Sequence, residues 1–173
     1  MKQYGGQAFE EWLELTHRVY ESRGVAWVSK NPIPSKFVRG RDGVRLVPTH
    51  KALPDYSGVL PGGRGVFFEA KSTQNKDRWT PPADREHQYD YLKQAHKYGC
   101  YAFYLLRWYA HDQVRLYPMG YSRSEATWNI PGPYREMVLV RNEGFPVLED
   151  GGICDWLGFL YRQDAQDKKA AMG

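Results

Sequence analysis

Cysteine is scarce in this sequence, since Cys100 and Cys154 are the only two among 173 residues. They do not have the spacing of metal ligands, and the five histidines show no pairing typical of a zinc site. The sequence therefore indicates neither a disulfide scaffold nor structural zinc. It predicts two buried thiols in a reducing compartment.

Long apolar runs are also missing. No stretch approaches the roughly 20 residues that a membrane-spanning helix needs, and residues 1–6 form no apolar secretion segment. We expect a cytoplasmic protein without a membrane partner. With 173 residues, 42% of them hydrophobic, we predict a single domain over residues 1–173. Residues 164–173 are charged and small, which predicts a flexible tail.

Acidic residues are almost absent from one segment, because Asp42 is the only acid between residues 30 and 51. The net charge is +4 and the isoelectric point about 9.0. Asp42-Gly43 is a turn signal between two short strand-like stretches, so residues 35–52 are predicted to form a projecting basic hairpin. We expect phosphate contacts here and in the loop after residue 72, although a solvated surface is the alternative. The candidate DNA-binding residues are Lys30, Lys36, Arg39, Arg41, Arg45, Lys51, Lys76 and Arg78.

The most informative stretch is a predicted strand that ends at Lys71. Successive side chains of a strand alternate between its faces, so Glu69 and Lys71 project together while Val66, Phe68 and Ala70 face the other way. An acid and a lysine on an apolar strand are costly to bury unless they are paired or used. The alternative interpretation is a surface ion pair on an edge strand.

Asp55 turns this pair into a candidate metal site. With Pro54 before it and thirteen residues between it and Glu69, it completes Pro-Asp…Glu-x-Lys, the metal-binding core of a large group of nucleases. The predicted oxygen ligands of Mg²⁺ are Asp55, Glu69 and the Ala70 carbonyl. Lys71 is predicted to orient or deprotonate the attacking water, or to neutralise developing charge.

Two helices contribute further candidates. A helix over residues 5–23 carries Glu10, the candidate for a second acid, with neighbouring Glu11 as its rival. A second helix, over residues 84–99 with Asp84 as its N-cap, carries Gln88 on its apolar stripe. This placement points a polar amide inward. An active-site contact is favoured for Gln88, and a core amide bonded to backbone is the alternative.

The remaining elements are predicted more coarsely. Residues 101–108 are almost continuously apolar, which indicates a central strand covered on both faces. Residues 118–150 are rich in glycine and proline and are expected to be irregular, apart from a possible strand at 138–140. A short helix is expected at 155–161. Trp79 and Phe37 lie beside basic residues and could stack on unpaired bases, or pack in the core or a dimer interface.

Several motifs in order resemble those of the RecU-type Holliday-junction resolvases and, more distantly, archaeal resolvases and other restriction-endonuclease-like nucleases. The similarity extends over roughly residues 5 to 118. The matching segments are Gly6-Gln7-Ala8-Phe9-Glu10-Glu11, Lys30-Asn31-Pro32-Ile33-Pro34, Asp55-Tyr56-Ser57-Gly58, Phe68-Glu69-Ala70-Lys71, Asn75-Lys76 and His87-Gln88.

The resemblance implies an α/β, restriction-endonuclease-like fold, with a central mixed β-sheet flanked by helices. It implies a homodimer that depends on Mg²⁺ or Mn²⁺, uses no organic cofactor and makes paired symmetric nicks in four-way DNA junctions. It gives metal roles to Asp55 and Glu69, the catalytic lysine role to Lys71, and supporting roles to Gln88 and Glu10. The basic hairpin takes the place of the stalk that enters the junction centre.

The sequence also departs from the family pattern. Pro54 stands where the family usually has threonine, and Ser72 replaces a common glutamate. These departures concern the preference for a metal and for a DNA sequence. Separately, other functions stay open: a restriction-type or other structure-specific nuclease of the same fold, a catalytically idle DNA-binding module, or a ribosomal or RNA-binding domain.

Overall fold

A computed structural model describes residues 4–33, 35–48, 53–120, 134 and 137–162. The predicted tail at 164–173 lies outside the described residues, so the tail and the single-domain assignment stay predictions. The long helices are α1 (Tyr4–Ser22) and α2 (Glu86–Lys97), and residues 157–162 are also helical. The strands are β1 (Trp27–Lys30), β2 (Ser35–Gly40), β3 (Gly43–Pro48), β4 (Tyr56–Val59), β5 (Gly65–Thr73), β6 (Arg78–Trp79), β7 (Tyr101–Trp108), β8 (Gln113–Pro118), β9 (Leu139–Val140), β10 (Phe145–Asp150) and β11 (Ile153–Asp155).

Seven strands form one sheet in the order β1-β4-β5-β7-β8-β10-β11. The β5–β7 pair is parallel and the other pairs are antiparallel. The helix α1 packs on one face, against β1, β5 and β11, and α2 packs on the other, against β7 and β5. The predicted fold class, a mixed sheet flanked by helices, is therefore confirmed.

Alternating side chains divide the core into two layers. In β7, Phe103 and Leu105 join the cluster beneath α1, whereas Tyr104 and Leu106 join the cluster beneath α2. This double burial explains the continuous apolar run of the strand. Phe68 lies in the α1 layer, stacked on Phe103 with 4.8 Å between ring centroids. The face of β5 that carries Glu69 and Lys71 is thereby directed toward α2, as the alternation predicts.

The close approach of β1 requires a glycine at position 58 in β4. It pairs with β1, and a β-carbon placed on it would lie 2.3 Å from the Trp27 carbonyl oxygen. Such a contact with backbone cannot be relieved by a side-chain rotation. The glycine of the Asp-Tyr-x-Gly motif thus lets β1 approach β4.

The predicted hairpin is present as a separate two-stranded sheet. The strands β2 and β3 pair from Ser35↔Pro48 to Gly40↔Gly43, and Arg41 and Asp42 form the turn. Phe37 is 78% exposed, and its cross-strand neighbour Leu46 is also exposed. Residues 49–52 of the predicted stalk lie outside the described residues.

Several finer predictions were wrong. The second helix begins at Glu86, because the extended Pro82 leads into a 3₁₀ turn at Ala83–Arg85, so Asp84 is not its N-cap. The region 118–150 is not irregular throughout, since β10 joins the main sheet between β8 and β11. The terminal helix starts later than predicted, because Asp155 ends β11.

The cysteines and the helices can be compared with the composition of the chain. Cys100 and Cys154 are both free thiols, although only Cys154 is fully buried. Among the described residues, no helix combines the length and apolar character needed to cross a membrane.

His17 is a buried histidine inside an aromatic cage on the α1 side of the sheet. Only 4% of its surface is exposed, and its ring lies 5.1 Å from that of Tyr56 and 5.9 Å from that of Trp156, between centroids. Burial disfavours the charged imidazolium and lowers the pKa of His17 to about 4. The native state therefore holds this histidine neutral.

We expect acid to destabilise the protein through His17. Between pH 6.5 and 4 the unfolded chain binds a proton that the native state does not, so the free energy of unfolding falls by about 3 kcal/mol across that window and this contribution is flat below it. Urea unfolding at a series of pH values should show a weaker dependence in His17→Leu. The exposed His96→Leu serves as control, and equal pH dependence in His17→Leu and wild type would contradict the assignment.

Candidate active site

The register of β4 against β5 brings Asp55 beside Glu69. Tyr56 pairs with Phe68, so the residue before Tyr56 lies next to the residue after Phe68. The Asp55 backbone N–H donates to Glu69 Oε1 at 3.1 Å, and the Ala70 N–H donates to Asp55 Oδ2 at 3.1 Å. A short turn between the two strands thus unites residues that are 14 positions apart.

The Lys71 ammonium lies between the two carboxylates. Its Nζ is 2.8 Å from Asp55 Oδ2 and also forms an ion pair with Glu69 Oε2. The Glu69 side chain is fully buried, whereas those of Asp55 and Lys71 are 23% and 25% exposed. The carboxylates of Asp55 and Glu69 therefore both form an ion pair with the same Lys71 ammonium group, which is partly accessible to solvent.

The electrostatics of this cluster follow from burial. Burial raises the pKa of Glu69 to about 8, with Lys71 opposing the rise and Asp55 adding to it. Burial acts to lower the pKa of Lys71, but the carboxylates of Glu69 and Asp55 outweigh it, so the Lys71 pKa is raised. The lysine is held as an ammonium, and Glu69 depends on a nearby cation for its charge.

The cluster opens into a cleft of about 480 Å³ between the first turns of α1, the loop after β1, β5 and the start of α2. We call this space the cleft. Its lining residues are Gly6, Phe9, Glu10, Asn31, Ile33, Leu53, Asp55, Ala70, Lys71, Ser72, Trp79, Pro82, Arg85 and Gln88.

Gln88 lines the cleft from α2. It is 4% exposed, and its Oε1 accepts no hydrogen bond from the described part of the chain. A buried amide oxygen without a donor is costly unless a bound group satisfies it. This observation favours the active-site interpretation of Gln88 over the core amide.

Glu10 lines the cleft but stands apart from the Asp55–Glu69 pair. Its Oε2 accepts a hydrogen bond from Lys30 Nζ at 2.7 Å, and this bond raises the pKa of Lys30. Its rival Glu11 is bound instead to Gln7 Nε2 at 3.0 Å. Among the described residues, no group of three His, Cys, Asp or Glu side chains is close enough to hold a metal ion. The metal role of Glu10 stays a prediction.

The basic candidates are distributed over several surfaces. Lys36, Arg39, Arg41 and Arg45 lie on the β2–β3 hairpin, where all four are exposed. Lys76 and Arg78 are exposed near β6, and Lys51 lies outside the described residues. Lys30 is engaged by Glu10 and also lies 3.9 Å from Glu14.

Sequence reasoning missed Arg85 and Asn31 and left Trp79 ambiguous. Arg85 lines the cleft from the turn that precedes α2, and its position three residues before Gln88 is a signal that could have identified it. Trp79 also lines the cleft, with its ring 6.2 Å from that of Tyr104, between centroids. Asn31 falls within the matching segment Lys30-Asn31-Pro32-Ile33-Pro34, but its residue type and spacing did not single it out, because its contacts join the end of β1 to the loop before β4.

A family model described as "RecU: Recombination protein U" matches residues 4–131 of this chain. The chain belongs to the RecU family. The match includes Asp55, Glu69, Lys71, Gln88 and Glu10.

Individual relatives agree with this assignment. The Holliday junction resolvase RecU of Geobacillus sp. (strain WCH70) is 31% identical over 118 residues, covering 64% of this chain and 58% of that protein. The Holliday junction resolvase RecU of Bacillus thuringiensis (strain Al Hakam) is 29% identical over 155 residues, covering 86% and 74%. Five of the curated relatives, all named Holliday junction resolvase RecU, are matched over only 58% to 63% of their own length.

A solved structure is similar as well. Hjc of Archaeoglobus fulgidus, a Holliday junction resolvase, has a TM-score of 0.46 and 15% sequence identity, covering 82% of this chain and 91% of that one. At this level the similarity carries no argument about activity.

Proposed function

We propose that this chain is a metal-dependent, structure-selective DNA endonuclease that resolves four-way (Holliday) junctions. The observation that carries the proposal is the convergence of Asp55 and the buried Glu69 on the Lys71 ammonium group, beside a cleft that Asp55 and Lys71 line. Membership of the RecU family supports the substrate class, because curated relatives are named Holliday junction resolvase RecU.

The buried Glu69 and the residues that line the cleft beside it fit a divalent cation. Two carboxylates already share one positive charge, and the amide oxygen of Gln88 has no donor among the described residues. Hard oxygen donors suit Mg²⁺ or Mn²⁺. We assign Asp55, Glu69 and the Ala70 carbonyl as ligands, with Glu10 able to contribute from the rim. Such an ion supplies an activated water and stabilises charge on the phosphoryl oxygens.

The side chains around the ligands have separate roles in this proposal. Lys71 is held as an ammonium, which favours neutralisation of the developing phosphate charge over proton abstraction. The Gln88 Oε1 accepts a hydrogen bond from the attacking water and orients it. Arg85 and Trp79 face the same space and suit a phosphate and a base respectively.

Selectivity for a branched substrate is geometric. In a homodimer, two clefts at a fixed separation would place paired, symmetric nicks on opposite strands of a junction. The exposed cations of the β2–β3 hairpin, Lys36, Arg39, Arg41 and Arg45, would bind phosphates and enter the junction centre as a stalk. We also propose a cytoplasmic location.

A cleavage panel tests this proposal. Duplex, fork, flap and four-way-junction DNA are incubated with the protein in Mg²⁺, in Mn²⁺ and in EDTA. We expect symmetric paired nicks in the junction only, dependent on the metal. Replacing the four hairpin cations by glutamine should weaken junction binding and make it less sensitive to salt.

Each other outcome of the panel identifies a different function. Equal cleavage of all substrates would indicate a general or restriction-type nuclease of the same fold. Junction binding without cleavage in either metal would indicate a catalytically idle DNA-binding module, and the enzyme proposal would be wrong.

A further inference from the structure

Asn31 lies where the end of β1 meets the loop that carries Asp55. The β1–β4 ladder ends at Lys30↔Tyr56, so Asn31 lies beside Asp55 one step beyond the last pair. Its backbone N–H donates to the Asp55 carbonyl at 2.8 Å. The side chain is half-buried and lines the cleft.

The Asn31 side chain makes two further hydrogen bonds to the same loop. Its Nδ2 donates to the Pro54 carbonyl at 2.7 Å, and its Oδ1 accepts from Ser57 Oγ at 2.8 Å. One amide therefore joins the residues on both sides of Asp55. A side-chain amide with both its donor and its acceptor used in this way has a fixed orientation.

The peptide unit between Pro54 and Asp55 is consequently held at both ends. Its carbonyl oxygen accepts from Asn31 Nδ2, and its N–H donates to Glu69 Oε1 at 3.1 Å. Rotation of this peptide would break both bonds and would move the Asp55 carboxylate away from Glu69. Pro54 has no N–H of its own, so it cannot provide a replacement donor.

We propose that Asn31 is a positioning residue that sets the metal affinity of the site by holding the Pro54–Asp55 peptide against Glu69. It touches neither the substrate nor the ion in this role, and acts through the orientation of Asp55. The inference rests on the proposed function. Groups that orient metal ligands typically change metal affinity or activity by roughly 10- to 100-fold when they are removed.

The variants remove the contacts separately. Asn31→Ala removes both side-chain hydrogen bonds, Asn31→Asp keeps the acceptor for Ser57 but loses the donor to Pro54, and Ser57→Ala removes only the Ser57 hydroxyl. Asn142→Ala is the matched control, because Asn142 is an exposed asparagine outside the cleft.

The primary measurement is Mn²⁺ binding to the DNA-free protein by isothermal titration calorimetry. We expect roughly 10-fold or greater weakening in Asn31→Ala and Asn31→Asp, a smaller loss in Ser57→Ala, and no change in Asn142→Ala. The Mn²⁺ concentration for half-maximal junction cleavage should rise in parallel, while the rate at saturating Mn²⁺ stays closer to wild type. Thermal melting reports whether each variant is folded.

The outcomes distinguish this inference from the proposed function. Wild-type Mn²⁺ affinity in a folded Asn31→Ala would overturn the inference and leave the proposed function standing, and lower melting temperature without weaker Mn²⁺ binding would do the same. If Asn31→Ala does not fold, unchanged Mn²⁺ binding in both Asn31→Asp and Ser57→Ala overturns it. A wild-type protein that neither binds Mn²⁺ nor cuts junctions would overturn both.

Discussion

Asp55→Asn and Glu69→Gln are each expected to lower junction cleavage by roughly 1,000-fold or more. Both replacements keep the shape of the side chain and remove the negative charge that would hold the divalent ion. A bound metal contributes several kcal/mol to the stabilisation of the transition state, and each 1.36 kcal/mol corresponds to a tenfold change in rate. The measurement is the single-turnover rate of junction cleavage at saturating Mg²⁺.

Junction binding provides the control for this prediction. The two variants should bind junction DNA in EDTA at least as tightly as wild type, because they lose a negative charge near the phosphates. Glu149→Gln and Asp150→Asn, at exposed positions on β10, should cleave normally. Normal cleavage by Asp55→Asn or Glu69→Gln would show that the active site lies elsewhere.

Lys71→Met is expected to lower the cleavage rate by roughly 100- to 1,000-fold, because it removes the cation that would neutralise charge on the scissile phosphate. It should also destabilise the metal-free protein. Breaking a buried ion pair costs roughly 3–5 kcal/mol. We expect about 2 kcal/mol here, since Glu69, with its raised pKa, can take up a proton when the lysine is absent.

A double-mutant cycle separates the two effects of Lys71→Met. Urea unfolding at pH 8 in EDTA should show that Glu69→Gln/Lys71→Met recovers part of the lost stability, because no unpaired carboxylate remains on β5. Cleavage should not recover in the double variant. Lys97→Met, at an exposed position at the end of α2 outside the cleft, is the matched control. Full cleavage activity in Lys71→Met would rule out the proposed role of the ammonium.

The parts of the site that the sequence predicts are those set by short-range geometry. Alternation along β5 places Glu69 and Lys71 on one face, and a hairpin between β4 and β5 brings Asp55 to them. The Asp42-Gly43 signal likewise predicts the β2–β3 hairpin. In each case the contacts that matter join segments that are neighbours in the sequence. The alternation of side chains along a strand and the residues of the turn are therefore sufficient to predict them.

The parts that the sequence does not predict depend on distant contacts. Periodicity places Glu10 on α1, but its pairing with Lys30 depends on how the helix docks against β1. Asn31 acquires its role only when β1 meets the loop before β4. The sequence does not predict the strand β10. Most of its side chains are exposed and it contains Pro146, so its sequence lacks the alternation of apolar and polar residues that indicates a half-buried strand.

The strand β5 makes the chain intolerant to a change of length at this one place. Its odd-numbered side chains Glu69 and Lys71 belong to the candidate active site, and its even-numbered side chains Phe68 and Ala70 pack in the hydrophobic core. Inserting or deleting a single residue within the strand would exchange the two sets, placing two charges among aromatic rings and a phenyl group in the cleft. Evolution can lengthen the Leu60–Arg64 turn beside it, but can alter β5 only by substitution.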